Sequence, residues 1–185
     1  KNNYRKWLRE IEDIVPGVVI NKLENLGSRF EGALATLEIP EGSFSVMTVE
    51  GFQRLGFTDE TYEAITKDLK DIITNVTTSE TARQTAKRFE KTREQEGKAR
   101  QMISGERSFE DLGFDLIVLD EAHIYKNLIG GAMVVKGEGN EFVNVRGAQS
   151  SRRAVKAFFA TQHILRQNNN RNVILLTATP FTNSP

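Results

Sequence analysis

Three short apolar runs, each unbroken and each ending in polar residues, constrain this chain more than any other feature. They are SFSVMTV around Val46, FDLIVLD from Phe114 to Asp120, and NVILLTATP from Asn172 to Pro180. A strand with one wet face alternates apolar and polar residues, whereas a continuous apolar strand calls for cover on both faces, as in a parallel sheet flanked by helices. The runs therefore predict an α/β fold on a parallel sheet. Between them lie the covering helices. In YRKWLREIEDIV, Trp7, Leu8, Ile11 and Ile14 or Val15 fall on one helical face, and Pro16-Gly17 stops the helix. A second helix, from about Ser150 to Gln167, carries Val155, Phe158, Phe159, Ile164 and Leu165, and NNN breaks it before the last strand.

The middle of the chain has a different character. Residues 58–104 are helix-rich and strongly charged, and Thr77-Thr78-Ser79-Glu80 has the spacing of a capping box, which predicts two helices joined near Asn75. The second, ETARQTAKRFEKTREQEGKARQMI, places only Ala82, Ala86, Phe89 and Ile103 at helical spacing, with Arg93 and Glu96 interrupting the stripe. It reads as a solvated helical insertion, with a nucleic-acid or partner-binding arm as the alternative. Residues 129–149 are glycine-rich: AMVVK and EFVNV flank GEGN as the arms of a small hairpin or within a long loop.

The bulk numbers bound the function. With 185 residues, 38% hydrophobic and 27% charged, the chain has the make-up of one globular domain or a large part of one. Twenty-five basic residues balance 25 acidic ones, so a polyanion would have to be met by a local patch. The absence of cysteine excludes disulfides, zinc ribbons and thiol nucleophiles and fits a reducing, cytoplasmic setting. No run is long enough to span a bilayer, and KNNYRKWLRE lacks the apolar core of a secretory signal. The opening on Lys1 and the close on TATPFTNSP, directly after a strand, predict a piece of a longer chain.

Asp120, Glu121 and His123 follow the second apolar run at once. A carboxylate at the end of a buried strand is costly unless a cation or hydrogen-bond donors meet it. In nucleotide hydrolases built on a parallel sheet, an acid at a strand's carboxyl end holds magnesium against the phosphates, and an acid beside it can orient the attacking water. Open α/β sheets bind ligands at that end of the strands. Asp120 and Glu121 fit these two roles in that order, with His123 near the phosphates and the adjacent strand. A metalloprotease is excluded, because one histidine lies near the acids and HExxH is absent. A nuclease is disfavoured, since no further acid cluster converges. The basic cluster Arg146, Arg152, Arg153 and Lys156 reads as a solvated face or as a grip for phosphates, mildly unfavourable at a helix start without an anion.

These residues carry a resemblance. LIVLDEAH resembles the Walker B box, motif II, of superfamily-two helicases and translocases, and VILLTATP resembles their motif III. DEAHIYKNL, with Lys126-Asn127, and TATPFTNSP resemble the chromatin-remodeller-like ATPases of the Swi/Snf type, with Ala178 where that group commonly has glycine. YRKWLREIEDIVPGV is similar to their tryptophan-containing helix after motif Ia, and FSVMTVEGFQRL to their motif Ib strand. The DEAHxYKNL wording is most similar to helicase-like proteins of bacterial mobile elements, often large and joined to methylase-like modules.

The resemblance implies that residues 1–185 are the carboxyl-terminal part of a first RecA-like lobe, motifs Ia to III, with a helical insertion at about 58–104. It implies ATP and magnesium as cofactors, and duplex DNA and a second RecA-like lobe of the same parent chain as partners. The setting it implies is bacterial, cytoplasmic and nucleoid-associated. Asp120 would bind magnesium and, with Glu121, the nucleotide; Glu121 would position the hydrolytic water; His123 would link the ATP site to motif III. Thr177 and Thr179 would couple hydrolysis to movement of the second lobe, and Thr48 and Glu50 would lie toward the DNA backbone. The phosphate-cradling GxxxxGK[ST] is absent from these residues, as is a second lobe with its arginine. The piece by itself is thus expected not to hydrolyse ATP, while the parent chain is expected to be a DNA-dependent ATPase. The alternative is a non-hydrolysing nucleic-acid-binding or scaffold module derived from a helicase lobe, against which Glu121 argues.

Overall fold

The computed structural model describes residues 2–24, 37–76, 107–125 and 152–178. In chain order these contain helix α1 (Asn2–Ile14), strands β1 (Ile20–Leu23) and β2 (Phe44–Met47), helices α2 (Val49–Phe52) and α3 (Asp59–Val76), a 3₁₀ turn (Glu110–Leu112), strand β3 (Ile117–Leu119), a second 3₁₀ turn (Ala122–Tyr125), helix α4 (Arg152–Gln167) and strand β4 (Val173–Leu175). The chain divides into two compact units, 1–57 with 99–113 and 58–98 with 114–185. Each contains a two-stranded parallel sheet, β1–β2 in the first and β3–β4 in the second. The α/β class and the parallel pairing are present, but as two separate two-stranded sheets: the SFSVMTV strand pairs with β1 and not with the other two runs.

In the first unit α1 packs on β2. Its inner face runs from Tyr4, which is buried, through Trp7 and Leu8 to Ile11. That is one turn nearer the amino end than the apolar spacing predicts, and Ile14 is 78% exposed. Tyr4 is amphipathic and belongs to the same i, i+4, i+7 stripe, so the helix buries its ring in place of Ile14. Gly17, at φ 81°, then turns the chain into β1. Strand β1 shows no continuous apolar run, because INKL is short and half polar. Its register on β2, Ile20 opposite Phe44 through Leu23 opposite Met47, is fastened by Asn21. The Asn21 amide donates to Ser43 Oγ at 2.8 Å and to Ser45 Oγ at 3.2 Å. Leu23, Phe52, Leu55, Phe57, Phe109 and Leu112 form the core of this unit, with the Phe57 and Phe109 rings 5.3 Å apart.

The second unit is organised around α4, which packs on α3, on the 3₁₀ turn at Ala122–Tyr125 and on both strands. Residues 154 to 157 are all buried, and four consecutive helical residues point in directions covering most of a turn, so this part of the helix is enclosed on most sides. Phe159 is 0% exposed, and its ring lies 4.3 Å from that of Tyr62 on α3. Arg166 donates to Asp68 at 2.5 Å and to the Ala64 carbonyl at 3.2 Å, fastening the far end of the pair. The charged middle of the chain thus begins with a helix that contributes Tyr62 and Ile65 to the core. Its expected partner helix, within 77–104, and the hairpin or loop at 129–149 lie outside the described residues.

Cover on both faces of the β3–β4 sheet is not found among the described residues. Leu119 is buried, but Leu175 opposite it is 60% exposed, and Leu116, Val118, Ile174 and Leu176 are exposed as well. These four alternate along the two strands with Val118 opposite Ile174, so they form one apolar face. The runs are continuous in sequence, but among the described residues one face is open and the other is buried at Leu119 and not at Leu175. The asparagines after α4 do more than stop it. Asn169, Asn170 and Asn172 have φ of 52°, 63° and 69°, a left-handed backbone that asparagine tolerates better than most side chains. Asn168 and Asn172 both donate to the Asp115 carbonyl at 3.1 Å, tying the end of α4 to the start of β3.

Two outcomes follow from this packing. Phe159→Ala should lower unfolding free energy by about 3–5 kcal/mol in denaturant titrations, and a loss below about 1 kcal/mol would contradict its central place. The Tyr4 hydroxyl is buried beside Glu24. Burial first, and then the Glu24 carboxylate, push its pKa above 10.0, with a weak opposing effect from the Glu24 backbone. The neutral phenol is therefore favoured in the folded state, a stabilisation that is complete below pH 10 and lost as pH rises through the raised folded value. Tyr4→Phe should be nearly neutral at pH 7 and should flatten the fall in stability above pH 10 in pH-dependent melting. An unchanged alkaline profile would contradict it.

Candidate functional site

The acids of the second apolar run sit where β3 leaves the sheet. Strand β3 ends at Leu119, and Asp120 is the next residue, half-buried. Its Oδ1 accepts the backbone N–H of Glu121 at 2.9 Å. Glu121 has φ 51°, so the chain turns sharply there, and its carbonyl accepts the Ile124 N–H at 2.9 Å to form the 3₁₀ turn. The neighbouring strand holds this corner. Leu176 N–H donates to the Leu119 carbonyl at 2.9 Å, and Ala122 N–H donates to the Leu176 carbonyl at 2.7 Å. The parallel ladder thus continues past the ends of both strands, bringing Thr177 beside the turn.

His123 joins the two exits. Its Nδ1 lies 3.2 Å from Glu121 Oε2 and 3.3 Å from Thr177 Oγ1. Both contacts involve one ring nitrogen, so the three side chains do not form an acid–imidazole–hydroxyl relay, which needs the acid and the hydroxyl on opposite nitrogens. The group is partly open, with the His123 side chain 28% and the Glu121 side chain 43% exposed. Among the described residues no three acidic or histidine side chains converge to cage a metal ion. A hard divalent cation at Asp120 would take its remaining ligands from water and from oxygens of a bound molecule. Magnesium accepts such a donor set, in which one or two carboxylates are joined by phosphates.

The structure therefore brings together Asp120, Glu121, His123 and Thr177, four residues singled out in the sequence. Thr179, Arg146, Lys126 and Asn127 lie outside the described residues. Arg152 opens α4, and Arg153 beside it is exposed. Lys156 is 1% exposed, a core residue of α4, which removes it from any solvated basic face. Thr48 and Glu50 belong to the first unit. Thr48 follows β2 and caps α2: its Oγ1 accepts the Gly51 N–H at 3.1 Å and donates to the Glu24 carbonyl at 3.1 Å. Its hydroxyl thus serves the local backbone, while Glu50, in the first turn of α2, is exposed. A Cβ on Gly51 would sit 3.3 Å from both the Leu23 carbonyl and Thr48 Oγ1, so this cap is closely fitted.

Asp115, Asn168 and Asn172 matter to the site without signalling it in sequence, since they act through backbone carbonyls and side-chain amides at the other end of β3 and β4. NNN announced a helix end but not the tie to Asp115.

The fold and site define an α/β chain with paired acids at the exit of a parallel strand. No family model matches the chain, and no solved structure matches it. It is similar to Defense against restriction protein B of Escherichia phage P1, at 30% identity over 77 residues. That match covers 42% of this chain and 3% of the phage protein, so the chain spans only a small part of that relative's length.

The cap supplies a direct test. Thr48→Ala should cost about 0.5–2 kcal/mol of unfolding free energy, and Thr48→Ser should recover most of it. Equal stability of the alanine and serine variants in denaturant titration would contradict the cap.

Proposed function

We propose that this chain is part of an ATP-dependent DNA translocase motor and contributes the acidic side of its nucleotide site. The observation that carries the reading is the corner after β3, where Asp120 and Glu121 leave a parallel strand in succession and His123 reaches Thr177 at the exit of the neighbouring strand. A strand-end acid for the cation, a second acid for water and a bridge to the next strand are what phosphoryl transfer to water asks of this side of a site. The similarity to a phage protein supports the mobile-element branch of the resemblance.

In this reading Asp120 would hold magnesium, whose charge would offset that of the terminal phosphates. Glu121 accepts a hydrogen bond from the attacking water and aligns it. Its contact with His123 holds the carboxylate at the corner, and the His123–Thr177 contact passes any displacement of the corner to the exit of β4. Glu121, His123 and Thr177 then form the path by which hydrolysis and movement of a second lobe are coupled. The phosphate-binding loop, that second lobe and the duplex DNA on which the motor acts belong, in this proposal, to the full-length protein and its partners. Thr48, Glu50, Arg152 and Arg153 are the described members of the proposed DNA-facing set, and of these Glu50 and Arg153 are exposed.

The test is steady-state ATP hydrolysis by the full-length protein, with and without duplex DNA. Turnover should rise with DNA, and Glu121→Gln should lower it by about 10²-fold or more, the usual scale for losing a positioned general base. A full-length protein that binds DNA but shows no DNA-dependent turnover would leave the binding or scaffold module in its place.

A further inference from the structure

Among the described residues, four with a side chain beyond glycine have a left-handed backbone: Glu121, Asn169, Asn170 and Asn172. Three are asparagines, whose short amide side chains make this conformation accessible. Glutamate has no such tolerance, so something must hold it. The groups around Glu121 show what does. On one side its carbonyl accepts Ile124 N–H at 2.9 Å, and Ala122 N–H is taken by Leu176 at 2.7 Å. On the other side its own N–H is taken at 2.9 Å by Oδ1 of Asp120, a side chain and not the backbone.

We propose that Asp120 is the positioning residue for Glu121: its Oδ1 clasps the Glu121 N–H and fixes the peptide plane before residue 121, so that, with the plane after it held by Leu176 and Ile124, φ at 121 stays left-handed and the carboxylate faces His123. A carboxylate has two oxygens, each able to accept, so clasping the backbone with one is compatible with meeting a cation with the other. Asp120 then has two separable roles. The cation role rests on the nucleotide reading above, whereas the clasp does not. The geometry also explains the adjacency of the two acids: an acceptor one residue before Glu121 is placed to take its N–H.

The two roles separate by substitution in the full chain. Asp120→Asn keeps an Oδ1 acceptor at the same reach and removes the charge. Asp120→Glu keeps the charge and moves the acceptor one methylene away. The readout is the sign of φ at residue 121, taken from backbone NMR couplings, together with amide hydrogen exchange at Glu121. The Asn variant should keep positive φ and wild-type protection. The Glu variant should lose positive φ and exchange this amide about tenfold faster, the scale of one hydrogen bond. Retention of positive φ and protection in the Glu variant, or their loss in the Asn variant, would overturn the clasp. No nucleotide enters the measurement, so an inactive full-length protein would sink the motor reading and leave this result standing.

Discussion

The parallel pairing of β3 with β4, carried beyond both strands by backbone hydrogen bonds, is the interaction on which the candidate site depends. Within the ladder Val118 faces Ile174, before it Ile117 N–H meets the Asn172 carbonyl, and after it Leu176 binds Leu119 and Ala122 in turn. A parallel pair needs a crossover, and α4 is the helix that leads into β4. Because α4 packs on the Ala122–Tyr125 turn as well as on both strands, the crossover holds the corner from the side that also covers the sheet. The acids therefore stand on a rigid element, the arrangement that keeps a functional side chain within a narrow range of positions.

Burial within α4 shows how firmly that support is specified. Val155, Phe159, Ala160 and Ile164 are all within the core, and Lys156 is enclosed with them. A buried ammonium costs several kcal/mol if it is left without acceptors, and Lys156 does have a polar or electrostatic partner. Exposed apolar side chains on the other sheet face, Val118 and Ile174 among them, contrast with this enclosure. The corner rests on one well-packed layer.

Much of this was legible in the residues. The runs FDLIVLD and NVILLTATP announced two strands, and hydrophobic spacing located α1 and α4 within a few residues. Other features were hidden for physical reasons. INKL is too short and too polar to announce β1, which depends on Asn21 and on pairing with a strand over twenty residues away. Tyr4 replaces Ile14 on the inner face of α1 because position in the stripe outweighs hydrophobicity rank. Lys156 looked like part of a basic surface cluster, since charge predicts exposure, but the packing around α4 encloses Lys156 and leaves Arg153 exposed. The left-handed turn at Glu121 could not be read from a residue type that rarely adopts it.

A crystal structure of the full-length protein with magnesium and a non-hydrolysable ATP analogue would test the central claim most directly. The cation should touch an Asp120 oxygen, and the Glu121 carboxylate should lie within hydrogen-bond reach of a water in line with the terminal phosphate, with His123 still bridging toward Thr177. A nucleotide bound away from the exit of β3, or a cation with Asp120 outside its coordination shell, would contradict it.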